Sequence, residues 1–172
     1  MLFAEKEISK NPAEYVLYLW QMEDLLRAIN FDMNMVEKLL ASSPDMDDVT
    51  IRRERTRYQL LIAEMRDEGI LETGHLAKGL LVMTDLQLLH QSLIQKKDKA
   101  YLPIYQEALP NIHDFIGKSG RKSQTEVEAC FQALYGLLIL RLKKEPVTPQ
   151  TQEAMDTFSK MLAYLAAKAV KS

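Results

Sequence analysis

Residues 11–30, NPAEYVLYLWQMEDLLRAIN, specify a helix that is apolar on two opposite faces. At about 100° per residue, Tyr15, Tyr18, Leu19, Met22, Leu25, Leu26 and Ile29 fall along one stripe. The opposite side carries Val16, Leu17 and Trp20, with Glu23, Asp24 and Arg27 directly beside them, where an ordinary surface helix would be wholly polar. Such a helix is either sandwiched between neighbours or presents a mixed aromatic and charged surface to something else.

The breakers and caps extend this helical reading along the chain. Asn11-Pro12-Ala13-Glu14 reads as an N-cap, a proline at the first helical position and an acid three residues after the cap. Ser43-Pro44 and Thr148-Pro149 repeat the cap-plus-proline arrangement, and Asp32 caps a short helix carrying Met35, Val36, Leu39 and Leu40. A long helix from about Pro44 should stop at Gly69, a residue suited to the left-handed position after a helix end. Thr73 is placed to cap the next helix, which runs to Lys96 and Lys97. Pro103 and Pro110 predict a kinked helix or two short ones over 98–117. Ser123-Gln124-Thr125-Glu126 has the form of a capping box for a helix that Pro146 ends, and a last helix runs from about Pro149 almost to Ser172. Period-two alternation is not sustained and no Asn-Gly or Asp-Gly hairpin signal occurs. The expectation is an all-α, single-domain bundle over residues 1–172, with six or seven helices and short connections. The helices over 73–97 and 123–144 are apolar almost all round and should lie at the centre.

Bulk properties exclude several function classes. The formal net charge is −2, from 22 basic and 24 acidic residues, so no global field draws in nucleic acid or an anionic membrane. The longest apolar stretch, 129–142, is interrupted by Gln132 and Arg141 and falls short of the roughly 20 residues a bilayer needs. The N-terminus, MLFAEKEISK, lacks the basic start and apolar run of a signal peptide, and the single cysteine, Cys130, fits a reducing compartment. A cytoplasmic protein with neither nucleic acid nor membrane as partner is the expectation.

Trp20, Glu23, Asp24 and Arg27 are the first candidate binding residues. Glu23 and Arg27 stand one turn apart, as do Trp20 and Asp24, so an apolar platform adjoins charges able to fix a polar ligand or a partner helix. The plainer alternative, which the sequence favours, packs this face inside the monomer with its charges satisfied by one another or by a loop backbone. His90, on the side shared by Leu76, Met83 and Ile94, is the other candidate, against its reading as a hydrogen-bonded core histidine. His75 and His90 are fifteen residues apart on one predicted helix, about 22 Å along its axis, and no HxxxH, HxxE or CxxC spacing supplies a half-site. No metal and no cofactor are therefore expected. The basic run at 51–57, IRRERTR, shares its helix with Asp45, Asp47, Asp48, Glu54, Asp67 and Glu68 and reads as a solvated, salt-bridged face. Gly117-Lys118-Ser119 lacks the Walker glycine, which falls at Ile112, and reads as an interhelical turn whose glycines end a helix. Cys130 has no convincing base nearby in sequence, and the nine methionines suit an adaptable core or a permissive pocket equally.

The run Ala13-Glu14-Tyr15-Val16-Leu17-Tyr18-Leu19-Trp20-Gln21-Met22-Glu23-Asp24-Leu25-Leu26-Arg27-Ala28, followed by Asn30-Phe31-Asp32, resembles the opening of an uncharacterised family of small helical proteins from gut bacteria of the Bacteroides type. The resemblance implies a helical fold and a bacterial cytoplasmic origin, and brings no activity, cofactor or catalytic residue with it. The leading expectation is a non-catalytic helical module acting through protein–protein contact, self-association to a homodimer included. Next comes a binding protein for a small apolar ligand held between helices, its polar end formed by residues such as Asp24, Arg27 or His90. An enzyme ranks third, because no acid–base pair, nucleophile or metal set can be assembled.

Overall fold

The two apolar faces of the first helix lie in two different apolar clusters. A computed structural model describes residues 10–120 and 124–171. Among them the chain forms seven helices and no strand: α1 (Pro12–Ala28), α2 (Met33–Ala41), α3 (Asp48–Asp67), α4 (Ala77–Gln95), α5 (Tyr101–Ser119), α6 (Glu126–Leu142) and α7 (Pro149–Lys171). The fold is an all-α bundle. One stripe of α1 sends Tyr15, Leu19 and Leu26 into a cluster with Val36 and Leu40 of α2 and Leu61, Ile62 and Met65 of α3. The other sends Ala13, Val16 and Trp20 into the larger cluster built by α4, α5, α6 and α7. α2 and α3 pack on each other, α4 to α7 form a four-helix group, and α1 stands between the two units. Burying each large apolar side chain contributes about 1.5–3 kcal/mol, so a helix that feeds both clusters binds the halves of the molecule together.

Local chemistry explains most helix ends. Asn11 Oδ1 accepts the Glu14 N–H at 3.1 Å, Asp32 Oδ1 that of Asn34 at 2.9 Å, and Thr148 Oγ1 that of Thr151 at 3.1 Å. Gly69 takes φ +71° just past α3. Four expectations need correction. α3 begins at Asp48, after Pro44, because Asp47 Oδ1 takes the Thr50 N–H at 2.8 Å and outcompetes Ser43 as the cap. α6 is capped by Thr125, whose Oγ1 accepts the Glu128 N–H at 3.2 Å; the Thr-x-x-Glu pattern therefore lies two residues beyond the one expected, and Ser123 is outside the described residues. α5 is one helix with Pro110 inside it, which leaves the two-short-helices alternative aside, and its end needs correcting: it runs on to Gly120 (φ +71°), while Gly117 stays helical. Finally, α4 starts at Ala77 with no side-chain cap of its own, so Thr73 does not cap it.

Nor does α4 lie wholly at the centre. It packs on α1, α5, α6 and α7 and buries Gly79, Met83, Leu86, His90 and Leu93. At Gly79 an added Cβ would stand 3.2 Å from Leu19 Cδ1, so the glycine permits the close approach of α1. Its opposite face leaves Leu81 and Leu88 65% and 58% exposed, with Leu80 also uncovered.

Candidate functional site

The polar side of α1 grips the loop between α3 and α4. Arg27 donates through Nη2 to the carbonyls of Ile70 at 2.9 Å and Gly74 at 2.5 Å, and through Nη1 to Asp24 Oδ1 at 3.3 Å. Gly74 has φ +101°, a conformation that L side chains rarely adopt, and this presents its carbonyl to the guanidinium. Asp24 accepts the Tyr135 hydroxyl from α6 through its other oxygen. Glu23, only 1% exposed, accepts the Leu76 N–H at 2.8 Å through Oε1 and lies 3.2 Å from His75 Nδ1 through Oε2. Glu68 accepts the Ala77 N–H at 2.7 Å. Two carboxylates from elsewhere in the chain thus satisfy the first amides of α4 and place negative charge at its positive end, the task a local cap side chain usually performs. His75 stacks on Trp20 with ring centroids 4.3 Å apart, and Phe131 and Tyr135 meet the indole edge-on. Trp20 is 3% exposed. Four candidates from the sequence are therefore together, and their contacts are to their own chain.

His90 stands apart from them, fully buried where α4, α5 and α6 meet. Its Nδ1 is 2.5 Å from the Tyr101 hydroxyl and its Nε2 3.3 Å from Glu126 Oε1, while Tyr105 donates to Glu126 at 2.9 Å. Every partner is satisfied when the Tyr101 O–H donates to Nδ1 and Nε2–H donates to the carboxylate. Burial pushes the Glu126 carboxyl up, but hydrogen bonds from His90 and Tyr105, with the fields of His90 and His113, outweigh it and hold the group below its ordinary value. Tyr105 is pushed up to about 12 by burial and by Glu126, and burial together with Glu126 raises the Cys130 thiol well above its usual range, which keeps it unreactive. A carboxylate lowered in this way stabilises the fold above its unfolded value and loses that contribution as pH falls through the folded one. Acid titration followed by circular dichroism should accordingly show stability falling more steeply below pH 4.5 in the wild type than in Glu126→Gln. Parallel acid limbs would contradict this role.

Tyr101, Tyr105 and Glu126 were not legible as a set, because α5 and α6 deliver them to His90 from positions 11 to 36 residues away. Among the described residues no group of three or more His, Cys, Asp or Glu side chains could hold a metal ion. In the basic run, Arg55 pairs with Glu37 at 2.7 Å and Arg57 with Glu54 at 3.6 Å.

The outer face of α4 has a different character. Ala77, Leu81, Thr84, Leu88, Gln91 and Gln95 follow one another at alternating spacings of four and three, and all six are exposed. That is the spacing of a coiled-coil seam. Lys78 and Asp85 flank the same edge one heptad apart. The sequence hid this surface because a helix apolar all round is ordinarily buried all round.

Residues 1–172 match the family described as a domain of unknown function, DUF4924. The chain belongs to that family. No curated protein and no solved structure matches it.

Proposed function

We propose that this DUF4924 chain is a non-catalytic protein-interaction module whose partner is a second copy of itself, docked through the outer face of α4. The observation that carries the reading is the seam of exposed residues in which Leu81 and Leu88 stand uncovered by their own chain. Two exposed leucines one heptad apart on the same helix face support a contact surface there. The seam is also self-complementary, as a two-fold interface requires. With the two α4 helices antiparallel and the axis near residue 82, Leu81 of each copy lies over Thr84 of the other and Leu88 over Ala77. Large side chains then face small ones. The same register brings Asp85 of each copy beside Lys78 of the other, whose ammonium is already held by Glu64 of its own chain at 3.0 Å, so no like charges meet at the rim. No charge lies in the seam itself.

The proposal includes a bacterial cytoplasmic setting, supported by the single cysteine and the resemblance of the first helix. Nucleic acid is left out of the partner set because Arg55 and Arg57 are engaged by acids. A membrane is left out because no helix among the described residues is long and apolar enough to cross one.

Sedimentation equilibrium on wild type and on Leu81→Glu/Leu88→Glu tests the reading. The wild type is expected to be a dimer, and the double variant a monomer with unchanged far-ultraviolet circular dichroism, since central interface residues each carry about 2 kcal/mol or more of association free energy. A monomeric wild type, or a variant that still dimerises, overturns it.

A further inference from the structure

We propose that the α4-to-α4 dimer is clamped by charge at both ends: the lysine-rich turn after α4 of each copy docks on the acidic turn before α4 of the other. The inference rests on the α4 contact and adds to it a second surface on each copy and a sensitivity to salt. In the antiparallel register with the axis near residue 82, the two helices overlap from Ala77 to Leu88. The seam changes character at that limit. Within the overlap it carries Ala77, Leu81, Thr84 and Leu88, and beyond it come Gln91 and Gln95. Residues 89–95 overhang the partner's helix by about 10 Å at 1.5 Å per residue. They therefore run beside the segment that precedes the partner's α4, residues 68–76. Polar seam residues there meet a loop, where the leucines meet a helix.

The segments that meet in this way carry opposite charge. Lys96, Lys97 and Lys99 are exposed, and their ammonium groups make no hydrogen bond or ion pair among the described residues. Asp98 between them is occupied within its own chain: its carboxylate accepts the Ala100 and Tyr101 N–H groups at 3.1 and 2.9 Å, and the field of Lys168 from α7 falls on it. At the other end, Asp67, Glu68 and Glu72 are exposed. Glu68 accepts the Ala77 N–H at 2.7 Å, while the carboxylates of Asp67 and Glu72 have no partner among the described residues. With Arg66 the single cation in its run, 66–72 carries a formal charge of −2, and 96–99 carries +2. An antiparallel pair brings the negative segment of each copy beside the positive segment of the other, twice about the two-fold axis. A parallel pair would set like against like at both ends. Complementarity of this kind fixes orientation and partner choice more than it adds affinity, and salt screens it. Within one chain the two segments flank a helix of 19 residues, about 28 Å long, so neither can satisfy the other.

Zero-length carbodiimide coupling of the wild-type protein tests the clamp directly, because an amide bond between these lysines and these acids can form only between copies. Peptide mapping of the coupled dimer is expected to show Lys96, Lys97 or Lys99 joined to Asp67 or Glu72. Raising sodium chloride from about 50 to about 500 mM should weaken wild-type association about fivefold or more. Lys96→Glu/Lys97→Glu/Lys99→Glu and Asp67→Lys/Glu72→Lys should each weaken self-association about tenfold or more, with unchanged far-ultraviolet circular dichroism. An equal mixture of the two variants restores attraction at both ends, so native mass spectrometry should find the heterodimer in excess of either homodimer. The coupling and salt arms need no variant, and a misfolded variant leaves them decisive. Couplings confined to other acids, association indifferent to salt, or no preference for the heterodimer would each overturn the clamp. A wild-type dimer that Leu81→Glu/Leu88→Glu still dissociates would then leave the α4 seam standing, whereas a monomeric wild type overturns both.

Discussion

Trp20→Ala should lower the unfolding free energy by about 3–5 kcal/mol, the range for truncating a large core aromatic, and leave self-association untouched. The indole is enclosed by its own chain: His75 covers one face, Phe131 and Tyr135 meet its edges, and only 3% remains exposed. The cavity opens where α1, α6 and the loop before α4 meet, and α6 and α4 are tied to other helices that limit collapse into it. For a chain of this size each kcal/mol moves the melting temperature by about 2–4 °C. Trp20→Phe is the informative companion. It keeps most of the apolar volume and removes a buried indole N–H that has no hydrogen-bond partner among the described residues, so it should cost much less than alanine. Denaturant unfolding of the two variants, with sedimentation alongside, checks the prediction. If Trp20→Ala keeps wild-type stability but shifts the protein toward monomer, the side chain is an interface residue and the packing account is wrong.

Glu23→Ala should cost about 3 kcal/mol, from a charged acceptor worth about 1.5–3 kcal/mol to its main donor and from the buried donor that its loss leaves unmatched. The donor is the Leu76 N–H, at the first turn of a helix that has no side-chain cap of its own. Glu23→Gln separates the two contributions. It retains an acceptor for the amide and removes the negative charge facing His75 and the positive end of α4. Its cost should fall between those of wild type and Glu23→Ala, and hydrogen exchange at Leu76, Ala77 and Lys78 should accelerate in the same order. A loss below about 1 kcal/mol in Glu23→Ala would show that Glu68 alone, through the Ala77 N–H, suffices to start α4.

These expectations show where sequence and tertiary structure each acted. Helix type, number and most ends were set locally. Asn11, Asp32 and Thr148 reach amides two or three residues ahead of them, and Gly69 takes a left-handed conformation at little cost, so nothing outside a short window is needed. The two-sided pattern of α1 likewise required that it be enclosed or contacted on both sides, and the two clusters it feeds meet that requirement. Only the folded chain could decide what lay on each side. The start of α4 depends on Glu23, 53 residues before the amide it satisfies, and on Glu68, nine residues before its own. His90 is satisfied by Tyr101 and Glu126 from two other helices, and Arg53 and Arg57 of α3 line a groove together with Tyr15, Tyr18 and Leu19 of α1. The exposure of Leu81 and Leu88 belongs with these, since hydrophobic periodicity gives the direction in which a side chain points and not whether another helix arrives to cover it.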